Sequence, residues 1–514
     1  MGELQKTLLM ISIFILISCV WKFFDWIWLK PKKLEKYLRK QGLKGTSYKL
    51  FYGDLKERDL SIQEALSKPM EHSHRIGHRV LPFDHLMFQK YGKVAVTWDG
   101  PNPIVVVIDP DMIRDILSSD NFLDVGYNPY EKTLVAVAGY NGKKWTKHRK
   151  HLTPAFHLDK LKMMLPGFHA SCSEMLNKWQ KLVSTESCEL DVYPELHNLT
   201  IDVISRTIFN CSYAEAKQIL EVQRELADLI LPTLRFPRIP GLRFVPTKVN
   251  RRMKYLDREL HTLIRNIVIK KQKAMKTGEA DNNDLLGCLV QSTFKGSEDN
   301  KGAENVGISI DEVVQECKFL WLAGKETIGN WLVWTMVVLS MHQDWQQKAR
   351  DEVLQVFGKS KPDFDRLNQL KVVSMILNEI LRLYCPAPGT AKRLTNKKVK
   401  LGNAILPPGV YVWPLTVLVH HDHDLWGKDA DDFNPNRFSE GVSKATNSKL
   451  SFLPFGSGPR TCIGQNLAWI STKIAITMIL QHFSFELSPT YIHAPCLVPT
   501  VTPQYGAQLI IHKL

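Results

Sequence analysis

The sequence predicts a mainly α-helical protein with a small β region and one N-terminal transmembrane helix. Three features support this fold class: an apolar run near the N-terminus, helical periodicity through most of the chain, and a few short extended segments beside Gly–Pro breaks. The chain has 514 residues, of which 44% are hydrophobic and 23% are charged. This ordinary globular composition is enough to bury a large core and an internal cavity.

The N-terminal segment has the composition of a membrane anchor. Residues 8–20 carry no charge and are apolar apart from Ser12 and Ser18, and apolar and aromatic residues continue to position 29 around Lys22 and Asp25. A spanning helix needs about 20 predominantly apolar residues, so we expect residues 1–29 to form a single-pass anchor. A cleaved signal peptide is the alternative, but no small-residue cleavage site follows the apolar run.

The residues after the anchor predict its orientation. Residues 30–50 form a lysine-rich segment that we interpret as a basic linker, and residues 51–514 as one catalytic domain. Positive charge flanking a spanning helix stays on the cytosolic side, so the domain is expected to face the cytosol.

The overall charge allows several kinds of partner. Lys and Arg total 67 against 52 Asp and Glu, a net charge of +15. An anionic membrane surface and an acidic protein both fit this excess. Nucleic acid is not expected, because the basic residues are dispersed and no zinc-finger or aromatic RNA-binding motif occurs. The nine cysteines are irregularly spaced, which is untypical of a secreted disulfide framework and leaves a thiol available to a metal.

Several elements can be placed from local patterns. Ser309 and Glu312 form a capping box before a proline-free apolar stretch, predicting a long buried helix over 313–341. The remaining predictions are a hairpin at 94–98 and 104–108, helices at 250–277, 372–384 and 464–482, and a polar loop at 278–309.

The strongest chemical signal is the pattern F-x-x-G-x-R-x-C-x-G, formed by Phe455, Gly458, Arg460, Cys462 and Gly464. Gly458 permits a tight turn, and Gly464 lets the backbone approach a flat ligand. Cys462 precedes a predicted helix, whose free N–H groups and dipole favour a thiolate. Arg460 can pair with a carboxylate such as a haem propionate. A lone cysteine is usually a buried core thiol, but the fixed features around this one favour a ligand of haem iron.

This loop resembles the haem-binding loop of the cytochrome P-450 superfamily. The resemblance implies the cytochrome P-450 fold, haem b as cofactor and Cys462 as the axial ligand of its iron. Glu379 and Arg382 (E-x-x-R) with Arg437 resemble the family's buried Glu-Arg-Arg cluster, which braces the haem loop. The chain departs from the family at Asn436, where an acidic residue is usual.

Residues 323–327 (Ala-Gly-Lys-Glu-Thr) resemble the family's oxygen-activation groove. The resemblance implies that Gly324 allows the helix to open locally, that Thr327 hydrogen-bonds dioxygen or a water, and that Glu326 passes protons. The alternative for Thr327 is a hydrogen bond to its own helix backbone. Ile328 stands where a second hydroxyl is common, which leaves the coupling of oxygen use to product formation open.

Other positions are matched to the family with less specific motifs. Trp145 and Arg149 resemble the W-x-x-x-R pattern of the helix that holds the haem propionates, and Arg393 is a further candidate propionate partner. The substrate-pocket candidates, for each of which a plain core role is equally open, are Leu320, Trp321, Ala323, Gly324, Pro388, Thr390 and Val501.

The histidines give a weaker signal. We expect His148 and His151 to lie on a helix surface. Residues 420–423 (His-His-Asp-His) are spaced too closely for a tetrahedral metal site, and the resemblance implies a surface turn there.

Residues 239–248, 145–157 and 483–494 narrow the resemblance to the plant family that contains secologanin synthase. It implies a monooxygenase of plant specialised metabolism in the endoplasmic reticulum membrane, acting on iridoids, triterpenoids, steroids or gibberellins. Since no flavin or nicotinamide motif occurs, electrons are expected from a separate partner, and the resemblance implies NADPH–cytochrome P-450 reductase. Two alternatives remain: a reductase-independent haem-thiolate isomerase or lyase, and a non-catalytic haem- or sterol-binding protein.

Overall fold

The computed structural model describes residues 2–124, 132–183, 186–237, 239, 241–280, 284–298, 307–446, 448 and 450–514. Helices form most of the described chain and the strands are short, so the predicted mainly α fold class with a small β region is confirmed. The helices of the N-terminal half are α1 (Glu3–Phe24), α2 (Lys30–Lys40), α3 (Leu55–Leu66), α4 (Gly77–Val80), α5 (Pro82–Tyr91), α6 (Pro110–Ser118), α7 (Lys132–Gly139), α8 (Gly142–Leu152), α9 (Leu158–Met163), α10 (Leu165–Leu182), α11 (Val192–Ile204) and α12 (Tyr213–Ile230).

The helices of the C-terminal half include the longest in the described chain. They are α13 (Lys248–Lys276), α14 (Leu285–Glu298), α15 (Ile310–Met341), α16 (Gln343–Phe357), α17 (Lys371–Leu383), α18 (Thr416–His420), α19 (His423–Trp426) and α20 (Gln465–His482). The predicted helices at 250–277, 313–341, 372–384 and 464–482 correspond to α13, α15, α17 and α20 and are confirmed.

The strands form one larger sheet and three small ones. They are β1 (Val94–Asp99), β2 (Asn102–Val107), β3 (Phe122–Asp124), β4 (Ser187–Asp191), β5 (Arg393–Thr395), β6 (Val399–Leu401), β7 (Ala404–Leu406), β8 (Tyr411–Pro414), β9 (Phe483–Leu487), β10 (Pro495–Leu497), β11 (Val501–Pro503) and β12 (Gln508–Lys513). The larger sheet has the order β1-β2-β8-β5-β3. Its β1–β2 hairpin, with Val94 opposite Val107, confirms the hairpin predicted from the sequence.

A single helical stretch runs from residue 3 to residue 40, with a π-helical turn at Asp25–Leu29 between α1 and α2. It is long and apolar enough to cross a membrane, and the apolar window of α1 is not buried against the protein. The first part of the segment interpreted as a linker is therefore helical. Pro31 and Leu38 of α2 are buried, and the Tyr48 hydroxyl donates to the Ile27 carbonyl, so α2 packs on the body. The division at residues 29 and 50 stays a prediction.

Helix α15 runs through the centre of the fold. Its N-terminus has the predicted capping box, in which the Glu312 N–H donates to Ser309 Oγ at 3.2 Å and the Ser309 N–H donates to Glu312 Oε2 at 2.8 Å. Nearly every residue from 328 to 340 is fully buried, which confirms the helix expected from its apolar sequence. Its neighbours include α7, α11, α13, α17 and α20, so it links the elements that wall the site.

The prediction of a polar loop over 278–309 is wrong in its middle part, where α14 forms. Leu285, Leu286, Leu289 and Val290 are at most 1% exposed and give this segment one apolar face. Burial of that face against α13 and α15 outweighs the polar and glycine-rich composition around it.

Candidate active site

An internal cavity of about 420 Å³ lies between α15 and the loop that carries Cys462. Besides these two elements, its wall includes residues of α7 and α8 and the segment 386–391 that follows α17. The cavity therefore collects most of the motif residues that are far apart in the sequence. These residues are Trp145, Arg149, Ala323, Gly324, Thr327, Arg393, Phe455, Arg460, Cys462 and Gly464.

The backbone before α20 presents Cys462 to the cavity. Gly458 has φ +75°, and a Cβ at this position would lie 2.8 Å from the Leu117 carbonyl oxygen, so a side chain does not fit. The Cys462 N–H donates to the Phe455 carbonyl at 2.9 Å and closes the loop. The side chain of Cys462 is accessible because it faces the cavity.

The surroundings of Cys462 have opposing effects on the pKa of its thiol. Burial raises the pKa of the Cys462 thiol, while the N–H of Gly464 and the guanidinium of Arg149 act to lower it. A metal ion at the sulfur would remove the proton outright, because a coordinating thiol is deprotonated. The site therefore suits a thiolate that exists as a metal ligand.

Gly464 lies in the cavity wall for a different reason than Gly458. A Cβ at Gly464 would have only ordinary contacts, the nearest being 3.9 Å from Cys462 Sγ and from Phe156 Cε1. The protein alone does not require glycine here. The missing side chain instead leaves the wall beside the sulfur open for a flat ligand.

Three guanidinium groups line the cavity, and no carboxylate does among the described lining residues. Arg149 Nη2 donates to the Thr461 carbonyl at 2.9 Å, next to Cys462. Arg460 Nη2 donates to the Tyr140 carbonyl at 2.8 Å, and its guanidinium lies 4.6 Å from the centre of the Trp145 ring. The third, Arg393, donates to the Ile116 carbonyl. This excess of positive charge complements an anionic ligand such as a dicarboxylate.

Residues 323–327 of α15 do not show the local helix opening that we expected at Gly324. A Cβ on Gly324 would lie 2.8 Å from Ile204 Cδ1, so this glycine permits close packing of α11. The helix is continuous here, and Thr327 Oγ1 donates to the Ala323 carbonyl at 2.7 Å. The local opening is therefore absent from this structure, and the backbone hydrogen bond proposed as the alternative for Thr327 is present.

Glu326 lies outside the described cavity lining. Its Oε1 is 2.6 Å from Lys325 Nζ, and both side chains are partly exposed. Lys325, the residue before Glu326, thus holds the carboxylate that we expect to pass protons.

The E-x-x-R cluster is fully buried. Arg382 Nη2 and Nε donate to the two oxygens of Glu379 at 2.7 and 2.8 Å, and Arg437 Nε lies 3.4 Å from Glu379 Oε1. Arg382 also donates to the carbonyls of His420, Ala430 and Asp432. Asn436 is exposed, so an acidic side chain at that position is not needed by the buried charges.

The cluster reaches the Cys462 loop through a residue whose role the sequence analysis missed. His420 is fully buried, and its Nε2 accepts a hydrogen bond from the Leu453 N–H at 2.9 Å. Burial and the charge of Arg382 lower the pKa of His420 to about 3, which keeps the ring neutral and able to accept. The predicted surface turn is therefore wrong at His420, which ends α18, and at His421, which is also buried. The signal that could have found it is the mostly apolar segment 415–419, most of which forms the buried helix α18.

The pocket candidates divide into two groups. Leu320, Ala323, Gly324 and Thr390 line the cavity. Trp321, Pro388 and Val501 are absent from the described lining. The Trp321 ring stacks on Phe209 with centroids 4.5 Å apart, and the Val501 carbonyl accepts from Trp334 Nε1 at 2.9 Å, so both pack behind the wall. Leu320, Ala323 and Gly324 share the face of α15 that lines the cavity, and Trp321 lies beside that face.

The expectation that His148 lies on a helix surface is wrong. Its side chain is fully buried between α8 and α15, whereas His151 on the same helix is half-buried.

Comparisons with known proteins identify the family. The Cytochrome P450 family profile matches residues 72–510. This chain belongs to the cytochrome P450 family. Among its relatives, it is 50% identical over 497 residues to cytochrome P450 72A397 of Kalopanax septemlobus, covering 96% of this chain and 95% of the relative. It is 49% identical over 507 residues to cytochrome P450 CYP72A219 of Panax ginseng, with 98% of each chain covered.

A solved structure supports the P450 fold. The chain matches retinoic acid-bound cyanobacterial CYP120A1 with a TM-score of 0.72 and 22% sequence identity, covering 84% of this chain and 94% of that one. The predicted P450 fold and plant P450 relationship are therefore confirmed. The chain is a P450 monooxygenase with haem as its cofactor, and it takes a hydrophobic substrate and electrons from a redox partner.

The cavity fits haem by its own chemistry. It offers one accessible sulfur, an open wall at Gly464 and three guanidinium groups for two propionates. In this site Cys462 would bind the iron, and Trp145, Arg149, Arg393 and Arg460 would hold the propionates. When bound, haem supplies the iron that activates dioxygen, and a thiolate ligand favours cleavage of the O–O bond.

Proposed function

We propose that this P450 inserts one oxygen atom from O₂ into a C–H bond of a terpenoid-like molecule: an iridoid, triterpenoid, steroid or gibberellin. The observation that carries this proposal is the composition of the cavity wall contributed by α7, α15 and residues 386–391. Its side chains are uncharged and mostly apolar, and include those of Val137, Ala138, Phe319, Leu320, Ala387 and Ala391. Placing a charged group against this wall would cost its hydration without a compensating partner. A molecule with a large hydrocarbon skeleton fits it.

Electrons are proposed to come from NADPH through cytochrome P450 reductase at the endoplasmic reticulum membrane. Helix α8 supports this, because it carries Arg149 toward Thr461 beside Cys462 and exposes Lys143, Lys144 and Lys150 to solvent. A basic surface this close to the sulfur suits an acidic electron donor. The helical stretch from residue 3 to residue 40 would keep the catalytic domain at the membrane's cytosolic face.

Two neighbouring residues would deliver protons, Thr327 in the cavity wall and Glu326 on the solvent side. Thr327 presents its hydroxyl in the cavity wall opposite the Cys462 loop, where it can reorient from the Ala323 carbonyl toward a water or the oxygen being reduced. Glu326, held by Lys325, is partly exposed and can exchange protons with solvent. Together these residues would bring solvent protons to the side of the cavity that α15 lines, where the neighbouring wall residues are mostly apolar.

The proposal is tested by turnover in microsomes that contain this chain, a plant reductase and NADPH. A panel of iridoids, triterpenoids, steroids and gibberellins is supplied, and products are identified by mass. A product one oxygen atom heavier, formed only with reductase and NADPH, would support the proposal. Conversion of a hydroperoxide without reductase would favour the isomerase or lyase alternative. Tight binding of a sterol with no NADPH consumption would favour a binding protein.

Thr327→Ala is expected to uncouple the enzyme. Product formation should fall by about 10²-fold, the low end of what positioned proton transfer contributes, while NADPH consumption continues. Thr335→Ala is the matched control, since Thr335 Oγ1 makes the same bond to the Trp331 carbonyl at 2.7 Å on the same helix but lies outside the cavity lining. Product formation and NADPH consumption are measured in the same reaction. Equal loss of product in both variants would contradict a role for Thr327 in proton delivery.

A further inference from the structure

His148 has carboxylate oxygens at both of its ring nitrogens. Nδ1 lies 2.7 Å from Glu316 Oε1, and Nε2 lies 3.2 Å from Glu312 Oε1. An ionised carboxylate only accepts hydrogen bonds, so each of these two contacts calls for an N–H on the ring. The His148 and Glu316 side chains are both 0% exposed.

A lysine joins this arrangement. Glu312 also lies 3.5 Å from Lys147 Nζ, so two carboxylates meet one imidazole ring and one ammonium. The ring of Tyr140 packs edge-on against His148 with centroids 4.7 Å apart. Forming such a buried pair costs free energy. Removing one partner costs more, because the charge of the other partner then stays buried alone.

These contacts join three pieces of the cavity wall. His148 lies on α8 between Lys147 and Arg149, and Arg149 donates to the Thr461 carbonyl next to Cys462. Glu316 lies on α15 one turn before Leu320, which lines the cavity. Its second oxygen accepts a hydrogen bond from the Val137 N–H at 3.3 Å, and Val137 of α7 also lines the cavity.

We propose that His148 is a positioning residue, which fixes α8 and the Val137 end of α7 against α15 and thereby sets the cavity wall that grips a bulky hydrophobic ligand. The inference rests on the proposed function only in taking this cavity as the haem and substrate site. The side chain acts through Glu316 on the position of Val137, and has no contact with the cavity itself. A ligand that reaches Val137 depends on His148, whereas one that contacts only the iron does not.

The test is an optical titration of the ferric holoenzyme with two nitrogen ligands of haem iron, small imidazole and a bulky hydrophobic azole. In His148→Gln a neutral amide replaces the ring and cannot donate hydrogen bonds to both carboxylates. Binding of the bulky azole should weaken by about tenfold or more, the factor that corresponds to losing a hydrogen bond to a charged group. Imidazole binding should stay unchanged. His148→Arg, which offers several N–H donors to the two carboxylates, should recover most of the azole affinity. His151→Gln on the same helix is the matched control and should change neither.

Equal weakening of both ligands, or an unchanged azole affinity in His148→Gln, would overturn the proposal. If His148→Gln does not retain haem, the same titration is made with Glu316→Gln, which keeps an acceptor for the Val137 N–H. The same two results would then overturn the proposal. The titration needs no substrate, reductase or NADPH. A failure of the proposed monooxygenation therefore leaves its result intact, and an unchanged azole affinity would overturn this inference alone.

Discussion

Replacing Cys462 by serine is expected to abolish both turnover and the carbon monoxide spectrum of a thiolate-ligated haem. Cys462 is the one cysteine among the described cavity-lining residues, and its sulfur is the accessible soft ligand there. A serine hydroxyl is a weak ligand that does not donate the electron density on which O–O cleavage depends. The reduced, carbon monoxide-treated holoenzyme and its product yield are measured side by side.

Cys385→Ser is the matched control for this substitution. Cys385 is buried beside the same loop, with its sulfur 4.0 Å from the Pro454 carbonyl, but it lies outside the described cavity lining. We expect the control to keep the thiolate spectrum. A Cys462→Ser protein that retains this spectrum would show that another group binds the iron.

Glu379→Ala is expected to lower the free energy of unfolding by about 3–5 kcal/mol, the cost of removing one partner of a buried ion pair. Glu379 accepts two hydrogen bonds from Arg382 and one from the Asn434 N–H, and it is 0% exposed. Without it, the Arg382 guanidinium stays buried with only carbonyl partners. Since Arg382 also holds the His420 carbonyl, and His420 holds Leu453, haem retention should fall as well.

The control for Glu379→Ala is an exposed ion pair at helical spacing. Asp344 and Lys348 of α16 lie 3.1 Å apart with both side chains more than half exposed, and Asp344→Ala should change the stability by less than about 0.5 kcal/mol. Thermal unfolding of the detergent-solubilised holoenzymes compares the two. Equal stability of the Glu379→Ala and Asp344→Ala proteins would show that the cluster does not brace the fold.

The elements that the sequence predicted well are those whose signals are local. The capping box of Ser309 and Glu312 specifies the start of α15 within one turn, and the Gly100 break specifies the β1–β2 hairpin. The Cys462 loop belongs to the same class, because the positive φ of Gly458, +75°, is a local reason for glycine at this turn. In each case a few neighbouring residues contain the whole physical reason.

The features that the sequence did not predict depend on distant partners. Helix α14 is stabilised by burial of Leu286 and Leu289 against α13 and α15. The burial of His148 could not be predicted from its own helix, which is basic and polar. It depends on Glu316, which is far along the chain and lies beside His148 in the fold. Trp321 shares the apolar character of Leu320, but its side chain stacks on Phe209 behind the wall. Helical periodicity specifies a face and does not specify which side chain at its edge reaches the cavity.

The most direct measurement is turnover under isotopically labelled dioxygen. Microsomes with this chain, reductase and NADPH are supplied with a substrate from the terpenoid panel under ¹⁸O₂ in unlabelled water. One ¹⁸O atom in each product molecule, absent in the Cys462→Ser protein, is the predicted result. A product that contains only oxygen from water, or one that forms without NADPH, would contradict a monooxygenase that uses Cys462 and reductase electrons.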